Sequence, residues 1–153
     1  MLRDQIQNDK IDALKARAED KLSTIRMLKS ATQYFEIQKG GAGYEASDED
    51  VIEVVGREIK KRRESIEMFE KGNRQELADK EKSEIITLQT YLPEQLSDND
   101  VNKLIDNAFA STGASTMQDM GKVMEILSPQ IKGKADGGMV SVLVREKISK
   151  LSP

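Results

Sequence analysis

The apolar residues of this chain recur at steps of three and four, the period of a helix with one buried face. Leu2, Ile6, Ala13 and Leu14 fall roughly on one face of a first segment, over about 2–17. Leu22, Ile25, Leu28 and Phe35 do the same over 20–38. Ile52, Val55, Ile59, Ile66 and Phe69 form a longer stripe that runs to Lys71. A fourth segment, over about 74–91, carries Leu77, Ala78, Ile85 and Leu88 and leads to Leu92. Beyond Pro93 three shorter patterns follow: Val101, Leu104, Ile105, Ala108 and Phe109; Met117, Met120, Val123, Met124 and Leu127; Met139, Val140, Leu143, Val144 and Ile148. No stretch alternates with period two over a strand's length. The pattern therefore predicts an all-α fold. An N-terminal helical domain of about four helices spans 1–93, and a small C-terminal three-helix domain spans 94–153.

The punctuation agrees. Glycine and proline gather at Gly40 to Gly43, Gly72, Pro93, Gly113, Pro129 and Gly133 to Gly138. Ser47 stands three residues before Asp50, a capping box with Asp in place of Glu. Ser97 to Asp100 is a second helix start. Ser115 with Gln118 predicts another box, Asp136 is a candidate N-cap, and Gly72 sits where a C′ residue belongs. Pro129 closes the sixth segment. Gly56 interrupts the third helix at a cost of about 1 kcal/mol relative to Ala; a close helix crossing would account for it.

Composition removes much chemistry. The 153 residues include no His, no Cys and no Trp. A Ser-His-Asp or Cys-His nucleophile pair cannot be built, nor can a zinc site of Cys and His. No disulfide can form, which fits a reducing cytoplasm. No apolar run approaches a membrane span, and the charged N-terminus lacks the apolar region of a secretory signal. A cytoplasmic protein without membrane contact is expected. Charged residues make up 33% of the chain, with 24 Lys+Arg against 27 Asp+Glu. A net charge of −3 gives no global pull toward nucleic acid, so any such role needs a local patch.

Searches for catalytic spacing return little. Gly133-Lys134 looks like the end of a phosphate loop, but the upstream Gly and the Ser/Thr for magnesium are missing, and no strand precedes it. No cofactor is expected. Two basic clusters remain. Arg57, Lys60, Lys61, Arg62 and Arg63 place five cations in seven residues. Glu53, Glu64 and Glu67 lie one turn from members of this set, so it reads either as a salt-bridged helix surface or as a contact site. The second runs over 122–150, where Lys122, Lys132, Lys134, Arg145, Lys147 and Lys150 outnumber Glu125, Asp136 and Glu146 by three. Lys132 and Lys134 flank Gly133 in a loop that leads into a helix N-terminus, where amides suit a phosphate. Asp136 as N-cap would compete for those amides. Phe109 is the only aromatic residue near, and the stripe places it in the core. A contact with RNA here would read backbone and shape rather than bases. Met117, Met120 and Met124 lie at helical spacing and read as core filling, or as an adaptable groove for a partner helix.

Several stretches together resemble the YqeY-like family, whose domain also forms the tail of the B subunit of the glutamyl/aspartyl-tRNA amidotransferase (the GatB/YqeY family). They are Ile25 to Leu28, Glu58 to Ile66, Tyr91 to Leu96, Met120 to Met124 and Gly133 to Gly137. The last two, in this order and eight residues apart, are the specific signal. The resemblance covers nearly the whole chain. It implies an N-terminal helical domain and a C-terminal three-helix domain. It also implies a tRNA-gripping role, with the glutaminase and kinase-like sites on other subunits or domains. Carried over by position, the RNA-facing residues are Lys122, Lys132 and Lys134, with Gly121 and Gly133 permitting close approach. Charge alone adds Arg145 and Lys147. The expected function is a non-catalytic module that binds tRNA or a tRNA-processing protein assembly. The alternative is a protein–protein adaptor that uses the N-terminal helices. Glutamine-dependent carbon–nitrogen ligation, by family association, is expected only alongside partner subunits. The oligomeric state is not legible in the sequence.

Overall fold

A computed structural model describes residues 1–151. Seven α-helices and one short 3-10 turn make up its regular structure, and no strand occurs among the described residues. The chain divides into two compact units, one ending at Leu92 and one beginning at Pro93.

The first unit holds α1 (Leu2–Lys15), α2 (Glu19–Gly40), α3 (Asp48–Lys71) and α4 (Gln75–Gln89). Its core takes Ile6 and Ala13 from α1, Ile25 and Leu28 from α2, Val51, Val54, Val55 and Ile59 from α3, and Ile85 and Leu88 from α4. The stripe on α3 is rotated from the sequence expectation. Ile52, Ile66 and Phe69 are only half-buried, and the inward line continues instead through Glu58 and Arg62. A hydrophobicity pattern cannot register that line, because two of its members are charged.

Turn chemistry fixes how the helices join. The amide of Asn73 donates to Glu70 O and that of Arg74 to Phe69 O, at 3.2 and 2.8 Å. These are the paired bonds of a Schellman motif, with Asn73 at C′ and φ of +56°. Gly72, expected in that role, has φ of −87° and ends the helix one residue earlier. The same pair of bonds closes α1, where Ala18 donates to Ala13 O and Arg17 to Leu14 O. Arg17 is therefore held at φ of +54°, a region that costs a side-chain-bearing residue roughly 1–2 kcal/mol. The capping box of Ser47 and Asp50 forms as expected. Asp50 also accepts from Lys39 Nζ at 2.5 Å and from Tyr44 Oη at 2.6 Å, so one buried carboxylate ties the end of α2, the following loop and the start of α3 together.

Gly56 is exposed, and a Cβ built there meets nothing within 4 Å. The close helix crossing expected at that position is absent.

The second unit holds α5 (Asp98–Thr112), the 3-10 turn Met117–Asp119, α6 (Met120–Ile131) and α7 (Gly137–Leu151). Steps of four dominate its core: Val101, Ile105 and Phe109 on α5; Val123, Leu127 and Ile131 on α6; Val140, Val144 and Ile148 on α7. Each such fully buried side chain is worth roughly 1.5–3 kcal/mol. Ser97 and Asp100 form a capping box, and Gly113 ends α5 at φ of +65°. The box expected from Ser115 and Gln118 lies one residue later, with Thr116 and Asp119 as its members. Asp119 wins because its single carboxylate accepts from the amides of both Ser115 and Thr116, at 2.9 and 3.0 Å. Pro129 does not stop α6, which continues to Ile131. Of the methionine stripe, Met120 and Met124 pack on the core while Met117 is exposed.

Candidate nucleic-acid interface

The loop between α6 and α7 is built on a tight turn. The amide of Lys134 donates to Ile131 O at 2.8 Å. Lys132 has φ of −56° and ψ of 118°, and Gly133 has φ of +74°. These are the angles of a type II turn, which requires a positive φ at its third residue and so selects glycine there. The backbone geometry alone accounts for Gly133. Lys132 and Lys134 occupy the second and fourth positions, and both are exposed.

The turn is held from outside as well. Lys134 O accepts from the amide of Leu96 at 2.9 Å, and Gly133 O accepts from Gln95 Nε2 at 2.8 Å. Gln95 also donates to Pro93 O. The segment that opens the second unit thus braces the turn, and Ser97 then starts α5. Tyr91 to Leu96 and Gly133 to Gly137 are separate stretches in the sequence, and nothing local marks Gln95. The structure joins them by two hydrogen bonds. Neither periodicity nor charge marks a side-chain amide that reaches a carbonyl 38 residues away.

The start of α7 does not offer its amides to a phosphate. Asp136 Oδ1 accepts from Gly138 N at 2.9 Å and lies 3.5 Å from Met139 N. The competition foreseen from the sequence is won by the carboxylate. What remains for an anion is the pair of lysine ammonium groups.

The other cations divide. Lys122 is exposed near the start of α6 and makes no ion pair among the described residues. Its charge adds to the lowering of the Asp119 pKa, which the Ser115 and Thr116 amides cause in the main. Gly121 beside it is exposed, and a Cβ there meets nothing within 4 Å, so internal packing does not demand the glycine. Arg145 is exposed and also makes no ion pair among the described residues. Lys147 is committed inside the unit: it pairs with Asp106, and its ammonium lies 4.9 Å from the centroid of the Phe109 ring.

The cluster on α3 is dispersed around the helix. Arg62 points inward, only 5% exposed, and donates to Glu58 Oε2 at 2.9 Å and to Glu84 Oε2 at 2.8 Å. Arg57 pairs with Glu53 and lies over the Phe35 ring. Lys61 pairs with Glu58. Lys60 and Arg63 are exposed. Five neighbouring cations in sequence do not make five neighbouring charges in space, because α3 turns about 100° per residue.

No group of three or more metal-ligating side chains occurs among the described residues. None of the described helices is long and apolar enough to cross a membrane.

Residues 3–148 match the family of YqeY-like proteins. An uncharacterized protein of Schizosaccharomyces pombe is similar to this chain. It is 38% identical over 87 residues, which cover 57% of this chain and 68% of the yeast protein.

Proposed function

This chain belongs to the YqeY-like family, and on that footing we propose that it is a non-catalytic helical module that contacts the phosphate backbone of tRNA through its second unit. The observation that carries the reading is the braced turn. Lys132 and Lys134 stand on a backbone fixed by Gly133, Leu96 and Gln95, and neither ammonium is neutralised within the described residues. A surface lysine that is spare and positioned suits a phosphate, which it meets as a point charge. Lys122 and Arg145 extend the set. Lys147 leaves it, because Asp106 and Phe109 already hold that ammonium. The absence of bases-reading aromatics leaves shape and phosphate spacing as the features recognised.

The test is a titration of purified protein with tRNA at two salt concentrations. A contact of Z phosphates lowers log K by roughly 0.7–0.9 Z per decade of salt. Binding that weakens steeply with salt, and is lost on Lys132→Glu with Lys134→Glu, supports the reading. Binding indifferent to both sinks it.

A protein-adaptor role for the N-terminal helices is the second reading. Val55 and Ile59 of the α3 stripe are buried, so that face is spent on the core. Exposed apolar residues of the first unit include Tyr34 and Ile37 on α2, each 65% exposed, with Met68 on α3 and Ile86 on α4. A stable partner recovered after nuclease treatment, and lost on Tyr34→Ser with Ile37→Ser, would favour it.

A further inference from the structure

The outward face of α2 carries a pattern that the core does not use. Ile25, Leu28 and Thr32 are buried within the first unit. Ser23, Met27, Ser30, Tyr34 and Ile37 lie on the opposite side, all exposed, at alternating steps of four and three. Those steps are the a/d spacing of a helix seam, held here over two heptads. The two halves of the seam differ in relief. The first half is a recess lined by Glu19, Leu22, Ser23, Arg26, Met27 and Ser30. These residues form two overlapping sets at i, i+3, i+4 and i+7, the four-residue hole that receives a knob from a facing helix. The second half carries two knobs, Tyr34 and Ile37, both largely exposed. The holes are centred about two turns and one turn before Ser30, and the knobs stand about one turn and two turns after it.

We infer that α2 pairs with α2 of a second copy of this chain, antiparallel, about a two-fold axis at Ser30. A two-fold interface must be self-complementary. Reversing the helix about Ser30 lays Tyr34 of each copy over the hole of Ser23, Arg26, Met27 and Ser30 on the other. The same reversal lays Ile37 over the hole of Glu19, Leu22, Ser23 and Arg26. One axis satisfies both knobs, and the small side chains of Ser30 let the helices meet there. The flanks agree: Arg26 comes beside Gln33 and Asp20 beside Gln38, so no like charges are opposed. The Tyr34 hydroxyl already accepts from Gln38 Nε2 at 2.9 Å, so it keeps a partner when its ring is covered. Parallel pairing would gather the small side chains at one end and crowd the bulky ones at the other. The occupant is therefore a second copy rather than the foreign partner of the adaptor reading. The pairing does not depend on the lysines of the second unit.

The chain has no cysteine, so a single introduced thiol reports its own geometry. In the full-length protein under oxidised glutathione, Ser30→Cys should give a disulfide-linked dimer, because its two thiols meet at the axis. Ser23→Cys should not, because its two copies lie about 20 Å apart along the helices, beyond the roughly 7 Å between Cα atoms that a disulfide spans. Sedimentation equilibrium of the parent should show mass rising with concentration from one chain to two. A seam two heptads long is a small interface, so a Kd on the order of 10 μM is expected. Ile37→Glu should weaken the pairing about tenfold or more, by placing a charge in each hole. Its helical circular dichroism should be unchanged, because Ile37 is exposed in the single chain. Lys132→Gln with Lys134→Gln should pair as the parent does. A parent that stays monomeric at about twenty times that Kd overturns the inference. An Ile37→Glu protein that pairs as tightly as the parent does the same. Failure of Ser30→Cys to link, or equal linking of Ser23→Cys, also overturns it. A parent that is monomeric alone yet holds a foreign protein, lost on Ile37→Glu, overturns it in favour of the adaptor reading.

Discussion

Arg62 Nε donates to Glu84 Oε2 at 2.8 Å, so a guanidinium buried on α3 holds α4 directly. The same side chain donates from Nη1 to Glu58 Oε2 and to Glu58 O, and its Nη2 lies 3.8 Å from Met27 Sδ on α2. One residue therefore links three helices of the first unit. Removing one partner of a buried ion pair is costly because the other charge stays behind. Arg62→Ala strips Glu84 of its cation and leaves Glu58 with Lys61 alone. It should lower the unfolding free energy of the first unit by about 3 kcal/mol, read from urea denaturation. Arg62→Lys should recover only part, since an ammonium cannot satisfy both carboxylates with the same fork.

Acid should act through Asp50. Hydrogen bonds from Lys39 and Tyr44 hold its carboxyl far below its ordinary value of 3.8, outweighing burial. The folded protein thus binds this proton less readily than the unfolded chain. Its stabilisation is complete above the ordinary value, declines below it, and is gone only once pH has fallen through the lower folded-state value. Glu81 works the other way: burial and the neighbouring Glu84 raise its pKa, so its penalty grows as pH rises past the ordinary value of 4.5. Asp50→Asn should flatten the decline of Tm below about pH 4, measured by thermal melts across pH. A decline as steep as the parent's would place the acid sensitivity elsewhere.

Two exposed glycines inside helices test whether packing requires them. Gly56→Ala should stabilise by about 0.5–1 kcal/mol, since the added methyl group meets nothing and helix propensity improves. Gly121→Ala should stabilise by a similar amount. If Gly121 admits an RNA backbone, that same variant should bind tRNA more weakly while melting at a higher temperature. Opposite signs in the two assays would be the mark of a functional glycine.

Arg17 lies in the left-handed region with its backbone fixed by two Schellman bonds. Arg17→Gly should therefore raise Tm, by an amount equivalent to about 0.5–1 kcal/mol. Gly133→Ala should do the reverse, by about 1 kcal/mol, because its φ of +74° is built into the turn.

The helices themselves were legible because their buried stripes are mostly apolar: Val140, Val144 and Ile148 on α7 announce one face without help. On α3 Val55 and Ile59 lie inward as the pattern predicts, but Glu58 and Arg62 take the next inward positions, and a charge seeks the interior only when its partner is present. That partner, Glu84, sits 22 residues on and carries no local signal. Capping was read well where one serine faces one carboxylate, as at Ser47 and Ser97. It slipped at Ser115, where neighbouring hydroxyls offered two registers. Of the candidate interface, Lys132, Gly133 and Lys134 stood out in the sequence. The commitment of Lys147 to Asp106, and the brace from Gln95, depend on helices meeting and could not.

Leu96 lies outside every helix, yet its amide is engaged at 2.9 Å by Lys134 O. A loop amide ordinarily trades its hydrogen for deuterium through small local fluctuations. Here the acceptor belongs to the turn between α6 and α7, so exposing the Leu96 hydrogen means releasing that turn as well. Its deuterium uptake should then keep pace with core amides of α6, and Gly133→Ala should quicken it without touching Leu96. The slowest non-helical amide of the second unit would in this way report on the footing of the two lysines.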